Sequence, residues 1–320
     1  MRLKSVLDNR IIVPLHVWRQ DARYHNRSIG FYRFISSVLK GTSIGSSASK
    51  RVQKKISKKL YLELYDIIEK YKNDDTDVLY DSQAPVWVLW MQGYKNAPDI
   101  VKRCIDSIRA STSHPVHLIT SDNISNYCSF PNYIKKKYLN ETITNAQFSD
   151  VLRMTLLAKY GGLWIDATIF IPTAIPEGVF EREFFTCKRD IKNSGYVSEC
   201  LWTSFLNGCQ KGCVIQRAAK DMFFAYWKKN DYLIDYLLVD YILLLIYQNI
   251  PKAKQLIDNL PYNNPQIEKL QNIMNEVFDE NTYHELITAS DTDFFKLSWR
   301  MEFETSKNGQ DTYFGRFLQK

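Results

Sequence analysis

The sequence predicts an α/β fold: a mostly parallel sheet flanked by helices, with an N-terminal helical extension and a helical C-terminal part. Three observations carry this. Val86-Trp87-Val88-Leu89-Trp90 is a continuous apolar run, the pattern of a strand buried on both faces. A helical stretch, Pro98 to Ala110, and a second short strand, Val116 to Thr120, follow it, so residues 85–120 read as one βαβ unit. Phe148 to Phe170 (FSDVLRMTLLAKYGGLWIDATIF) then passes from a helix through two glycines into another short apolar strand that ends on an acid.

Met1 to Val13 holds only a short apolar run at Ile11-Ile12-Val13, preceded by Asp8 and Arg10 and ended by Pro14, so no signal peptide is read there. A helix is expected near Ile29 to Leu39, and Gly41 to Ser49 (GTSIGSSAS) reads as a linker. Lys50 to Tyr71 reads as one amphipathic helix. Val52, Ile56, Leu60, Leu64, Ile67 and Ile68 recur at helical steps, and Lys54, Lys55, Lys58 and Lys59 form the wet side. Asn73 to Asp77 is an acidic break, which divides a basic helical extension, 1–77, from a main domain, 78–320.

In the βαβ unit, Ile100, Cys104, Ile105 and Ile108 face inward, and Asn132 to Leu139 forms a short basic helix. Asn145 is placed to cap the buried helix Ala146 to Tyr160. Gly161 supplies a left-handed terminus and Gly162 a tight turn. Beyond Pro172, Phe180 to Arg189 reads as an edge strand, and Val214 to Lys228, Tyr232 to Gln248 and Gln266 to Phe278 as helices. Pro251, Pro261 and Pro265 break the region between the last two.

Composition excludes several classes. Among 320 residues, 45% are hydrophobic and 24% charged, ordinary values for a soluble globular chain. Tyr232 to Ile250 is the most apolar segment, but Asp235 and Asp240 near its middle make spanning a membrane costly, so a buried helix is expected. The six cysteines and five histidines show no zinc spacing, and free thiols in a reducing cytoplasm are expected. Residues 1–72 carry 16 Lys and Arg against 5 Asp and Glu; that stretch holds +11 of a net +7, and the remainder is −4. No recognition motif accompanies this charge, so nucleic acid is not an expected partner. A solvated helical face explains it, and so does peripheral contact with an anionic membrane.

Asp150 and Arg153, three apart, share one face of a helix that is otherwise apolar, and each needs a partner. Asp166 stands at a strand's C-terminal end, where open α/β sheets bind ligands. The residues Phe148-Ser149-Asp150, Arg153, Tyr160-Gly161-Gly162 and Trp164-Ile165-Asp166-Ala167-Thr168 resemble the capsular polysaccharide synthesis family of glycosyltransferases, itself related to the DXD-containing sugar transferases. The resemblance runs from Pro85 to Pro172 and more faintly to the C-terminus.

That resemblance implies a GT-A-like, Rossmann-type fold and transfer of a sugar from a nucleotide-diphosphate sugar to a bacterial capsular or surface polysaccharide, with retention of configuration. It implies Asp150, Arg153 and Asp166 as the catalytic set, the first two on the sugar hydroxyls. Trp90 would stack on the base beside Gln92 and Gly93. Lys296, Ser298 and Trp299 match a late donor-binding motif of the family more loosely, and the basic residue there would close over the diphosphate. A divalent metal, Mn2+ or Mg2+, would sit on Asp166 and Thr168. Here the motif reads Asp166-Ala167-Thr168, without the second acid, which leaves a hydroxyl as the second ligand; either the metal is held mostly by the diphosphate or cationic side chains replace it. Trp202, Ser204 and Asn207 are candidates for an acceptor groove, which would receive a glycan or lipid-linked glycan. Asp240 reads either as the acceptor's base or as a helix–helix hydrogen-bond partner. Two other classes remain: a non-catalytic glycan-assembly partner with a degenerate DXD motif, and a haloacid-dehalogenase-type phosphotransferase.

Overall fold

The apolar runs become strands, and their alternation sorts the core into two layers. In chain order these are β1 (Val86–Leu89), β2 (Val116–Ile119), β3 (Gly162–Ile165), β4 (Ile169–Phe170), β5 (Phe184–Thr186), β6 (Leu206–Cys209) and β7 (Phe295–Lys296). The computed structural model describes residues 13–24, 26–191 and 194–319; all but Val13 of the stretch read for a signal peptide lies outside them. Five strands form one sheet in the order β2-β1-β3-β6-β5. β1 pairs in parallel with β2 and β3, while β6 is antiparallel to β3 and β5, so four of the five strands share one direction. The Rossmann-type sheet and its βαβ unit are therefore as expected.

The principal helices are α1 (Val13–Tyr24), α2 (Arg27–Val38), α3 (Ser43–Glu63), α4 (Tyr65–Tyr71), α5 (Asp99–Ala110), α6 (Asn132–Leu139), α7 (Asn145–Tyr160), α8 (Val214–Lys229), α9 (Leu238–Asn249) and α10 (Pro251–Asn259). Successive strand residues point to opposite faces. Val86, Val88, Leu163 and Ile165 pack in one cluster with Ile100, Cys104, Ile105 and Ile108 of α5. Trp87 and Trp164 pack in the other with Leu152 and Leu156 of α7 and Met222 of α8. Ile29, Val52, Ile56, Leu60, Leu64 and Ile68 of the N-terminal region join that second cluster, so this region shares a core with the sheet.

Gly162 is required where β3 begins. Its φ is +92°, and a Cβ there would lie 2.0 Å from the Pro85 carbonyl oxygen, because β3 docks on β1 through Leu163 N donating to that same oxygen at 2.9 Å.

Several expected boundaries move. Residues 41–49 are not a linker: Thr42 caps α3 by accepting from Gly45 N. The small residues there allow close packing, since a Cβ on Gly45 would come within 2.1 Å of the Leu39 carbonyl oxygen. The expected Lys50–Tyr71 helix breaks at Leu64, which caps α3 and starts α4. The cap of α7 is Thr144, one residue before Asn145. Residues 232–237 lie outside α9, and Pro251 opens α10 at a position that needs no N–H. Within 266–278 only Lys269–Ile273 is α-helical. Among the described residues no helix is long and apolar enough to cross a membrane.

Candidate active site

Alternation along β3 decides where its terminal acid goes. Trp164 faces α7, and Asp166, two residues on, returns to the same side. Asp166 Oδ1 accepts from Trp164 Nε1 at 2.9 Å and from Arg153 Nη2 at 3.2 Å. Arg153 Nη1 donates to Asp150 Oδ1 at 2.9 Å, and its guanidinium carbon lies 4.9 Å from the centre of the Trp164 ring. One arginine, 3% exposed, thus bridges a carboxylate on the helix to one at the strand tip. The fork geometry of the guanidinium allows both contacts at once.

These groups stand at the C-terminal ends of β1 and β3, beside a cavity of about 590 Å³. That volume suits a small organic ligand. Its walls carry two indoles, Trp90 and Trp299, in an edge-to-face pair with centroids 5.8 Å apart, and two cations, Lys296 and Arg300. A smaller cavity of about 180 Å³ shares Ala146, Ser149, Asp166 and Tyr236 with it and is lined further by Asp150, Arg153, Ser204 and Asp240. The cleft is therefore polarised, aromatic and cationic in the larger chamber and acidic in the smaller one.

Burial pushes the Asp150 carboxyl up to about 7; Arg153 opposes this, and the carboxylates of Asp166 and Asp240 add to it. Burial likewise pushes Asp240 up to about 6, against a hydrogen bond from Trp202 Nε1 and the charge of Arg153. Each acid holds its proton to higher pH in the folded chain than in the unfolded one. Stability therefore falls as pH rises from the ordinary carboxyl value of 3.8 through about 6 for Asp240. Asp240→Asn removes that share while keeping an acceptor for Trp202. The variant is expected to match wild type near pH 4 and to exceed its stability by roughly 2–3 kcal/mol near pH 8. Urea unfolding at both values checks this, and an equal effect at the two ends would contradict it.

Most of the expected site residues meet in this cleft. Trp90, Gln92, Asp166, Thr168, Lys296, Ser298 and Trp299 line the larger chamber, and Asp150, Arg153, Asp166, Ser204 and Asp240 the smaller. Gly93 does not line it; at φ +77° it makes the turn after Trp90, donating its N–H to the Trp90 carbonyl at 2.9 Å. Two acceptor candidates are corrected. Trp202 is buried and its Nε1 donates to Asp240 Oδ1 at 3.0 Å, so it supports the cavity wall from behind. Asn207 has no exposed surface; it sits in β6 opposite Trp164, with its amide on the Thr203 carbonyl. Asp240 does make the hydrogen bond of a buried helix residue, yet it also faces the cavity. Sequence reasoning missed Tyr236, Gln271 and Arg300. Arg300 follows Trp299 directly and could have been taken with it; Tyr236 and Gln271 had no local signal.

The residues expected to hold a metal do not make a ligand set. Thr168 Oγ1 accepts from Lys296 Nζ, and Asp166 Oδ1 already accepts two hydrogen bonds, one of them from a guanidinium. Among the described residues there is no group of three His, Cys, Asp or Glu placed to share one ion. Hard cations favour several oxygens, usually more than one of them anionic.

Over 100 residues, 28% of this chain, it is 32% identical to the O-glycosyltransferase braB of Annulohypoxylon truncatum. The match spans about a quarter (24%) of that curated relative's length. Among solved structures, the PaToxG Glycosyltransferase superposes with a TM-score of 0.39 at 14% identity, covering 68% of this chain and 84% of that one. The family model described as capsular polysaccharide synthesis protein matches residues 38–317, nearly the whole chain and every residue of the cleft, and the protein belongs to that family.

Proposed function

We propose that the protein is a glycosyltransferase that moves a sugar from a nucleoside-diphosphate sugar to a hydroxyl of a bacterial capsular or surface glycan, free or lipid-linked. The polarity of the cleft carries this reading. A nucleotide diphosphate is an aromatic ring joined to an anion, which suits the chamber of Trp90, Trp299, Lys296 and Arg300. A sugar is a small array of hydroxyls, which suits the chamber of Asp150, Arg153 and Asp240. Asp166 lines both chambers, at the level where the bond between sugar and phosphate would lie.

In this reading Asp150 and Asp166 accept from sugar hydroxyls and Arg153 holds the two acids in register. The bond from the anomeric carbon to the phosphate oxygen breaks and a bond to the acceptor oxygen forms on the same face. The acceptor's proton passes to the departing phosphate oxygen, and configuration is retained.

A thermal-shift screen of UDP-, GDP-, CDP- and ADP-sugars, followed by an assay for nucleotide release, tests the proposal. A donor that stabilises wild type and Asp166→Ala equally counts against this cleft. A protein that binds a donor and never releases nucleotide is a non-catalytic assembly partner instead.

The N-terminal region extends the proposal. Arg51, Lys54 and Lys58 of α3 are exposed, as are the apolar side chains of Phe31 and Ile44, and Ile44 and Arg51 line one surface pocket; this combination suits peripheral contact with an anionic bilayer from the cytoplasmic side. Flotation with phosphatidylglycerol vesicles at low salt, lost at high salt, is the expected result; no flotation at low salt contradicts it.

A further inference from the structure

We infer that Lys296 takes the place of a divalent metal, so that this protein binds the diphosphate of its ligand without a metal ion. The inference rests on the nucleotide reading of the cleft and goes beyond it.

Main-chain pairing fixes where the ammonium sits. β7 lies antiparallel to β4 with Lys296 opposite Ile169, and Leu297 N donates to the Thr168 carbonyl at 2.8 Å. That register brings Lys296 Nζ onto Thr168 Oγ1, with a further bond to the Leu297 carbonyl at 3.2 Å. The side chain passes Phe205, its Nζ 5.6 Å from the ring centre. A cation is thus built into the wall beside the hydroxyl that stands where the family motif has its second acid.

The charges of the chamber agree. Among the described residues Asp166 is the one carboxylate lining it, and one of its oxygens is shared by Trp164 and Arg153. Lys296 and Arg300 line the same chamber, so its side-chain charge is net positive before any ligand enters. A second cation placed at Asp166 and Thr168 would meet the ammonium and guanidinium already there, whereas a diphosphate meets two opposite charges. Lysine carries three donors on one point charge, which suits terminal phosphate oxygens.

The test uses the full chain freed of metal by chelation. UDP, GDP, CDP and ADP are titrated by calorimetry in EDTA and again in excess manganese, beside the matching nucleosides. At least one diphosphate is expected to bind with the same affinity, within about threefold, in both conditions. Lys296→Met is expected to weaken that diphosphate by about tenfold or more and to leave its nucleoside unchanged, while Lys296→Arg keeps the affinity. The wild-type comparison stands whether or not the variants fold. Binding that appears only with manganese, or that manganese tightens by more than about tenfold, overturns the inference and leaves the nucleotide reading standing. Diphosphate affinity unchanged in Lys296→Met overturns it as well. No binding of any diphosphate in either condition overturns the nucleotide reading and this inference with it.

Discussion

Replacing Arg153 by methionine is expected to lower the free energy of unfolding by about 3–5 kcal/mol, the cost of leaving a buried charge without its partner. Arg153 and Asp150 have side chains 4% and 12% exposed, and among the described residues the guanidinium is the one cation lining a chamber that also holds Asp150, Asp166 and Asp240. Without it Asp150 keeps its burial penalty and the repulsion of its two neighbours. The carboxyl, already pushed up to about 7, would then rise further and take a proton. The loss should therefore be larger near pH 8 than near pH 5, since at the lower value Asp150 is protonated in both proteins. Asp150→Asn in the Arg153→Met background should recover much of it. Urea unfolding of wild type and the two variants at the two pH values checks this; an unchanged midpoint for Arg153→Met near pH 8 would show that the ion pair contributes little to the fold.

Asp166→Asn is expected to act in the opposite way, on turnover and not on folding. The Asp166 side chain is 30% exposed, and an asparagine oxygen still accepts from Trp164 Nε1. Stability should stay within about 1 kcal/mol of wild type. Turnover should fall by roughly a hundred- to a thousandfold, the effect of removing one preorganised polar group from a reacting centre. Nucleotide release from the donor found in the screen measures it. A variant that keeps more than a tenth of wild-type turnover would remove Asp166 from the reaction.

The two effects separate because the residues occupy different depths. Arg153, its side chain 4% exposed, lies on a helix face at the wall of the smaller chamber; Asp166, its side chain 30% exposed, sits at the strand tip and lines both chambers. Both positions were readable in outline. A carboxylate and an arginine three apart on an apolar helix must meet, and a strand of alternating faces returns its terminal acid to the side of its tryptophan. Trp202 and Asn207 were misread because a polar or indole group in an apolar segment looks the same whether it faces a groove or a buried partner. Asp240 shows the other side of that ambiguity, since it does both. The glycine- and serine-rich 41–49 segment looked like a linker because small residues weaken an isolated helix; only the closeness of Leu39 explains why they are there.

From the residues alone came the α/β class, the βαβ unit, the buried helix before Gly161-Gly162, the strand ending on Asp166 and the family. These rest on local periodicity and on short motifs, which need no knowledge of distant neighbours. The sequence had already offered Asp240, Lys296, Ser298 and Trp299; only the tertiary structure added Tyr236, Gln271 and Arg300 and showed how these distant segments reach the cleft. Residues 236, 240, 271 and 296–300 reach the site through antiparallel pairing and helix packing, contacts between segments far apart in the chain, such as Gln147 with Tyr236 and Lys296 with Thr168. Charge follows the same division. Asp166-Ala167-Thr168 announces a missing acid in the sequence, but that a lysine ammonium lies against the threonine depends on the register of β7 on β4, which no local pattern encodes.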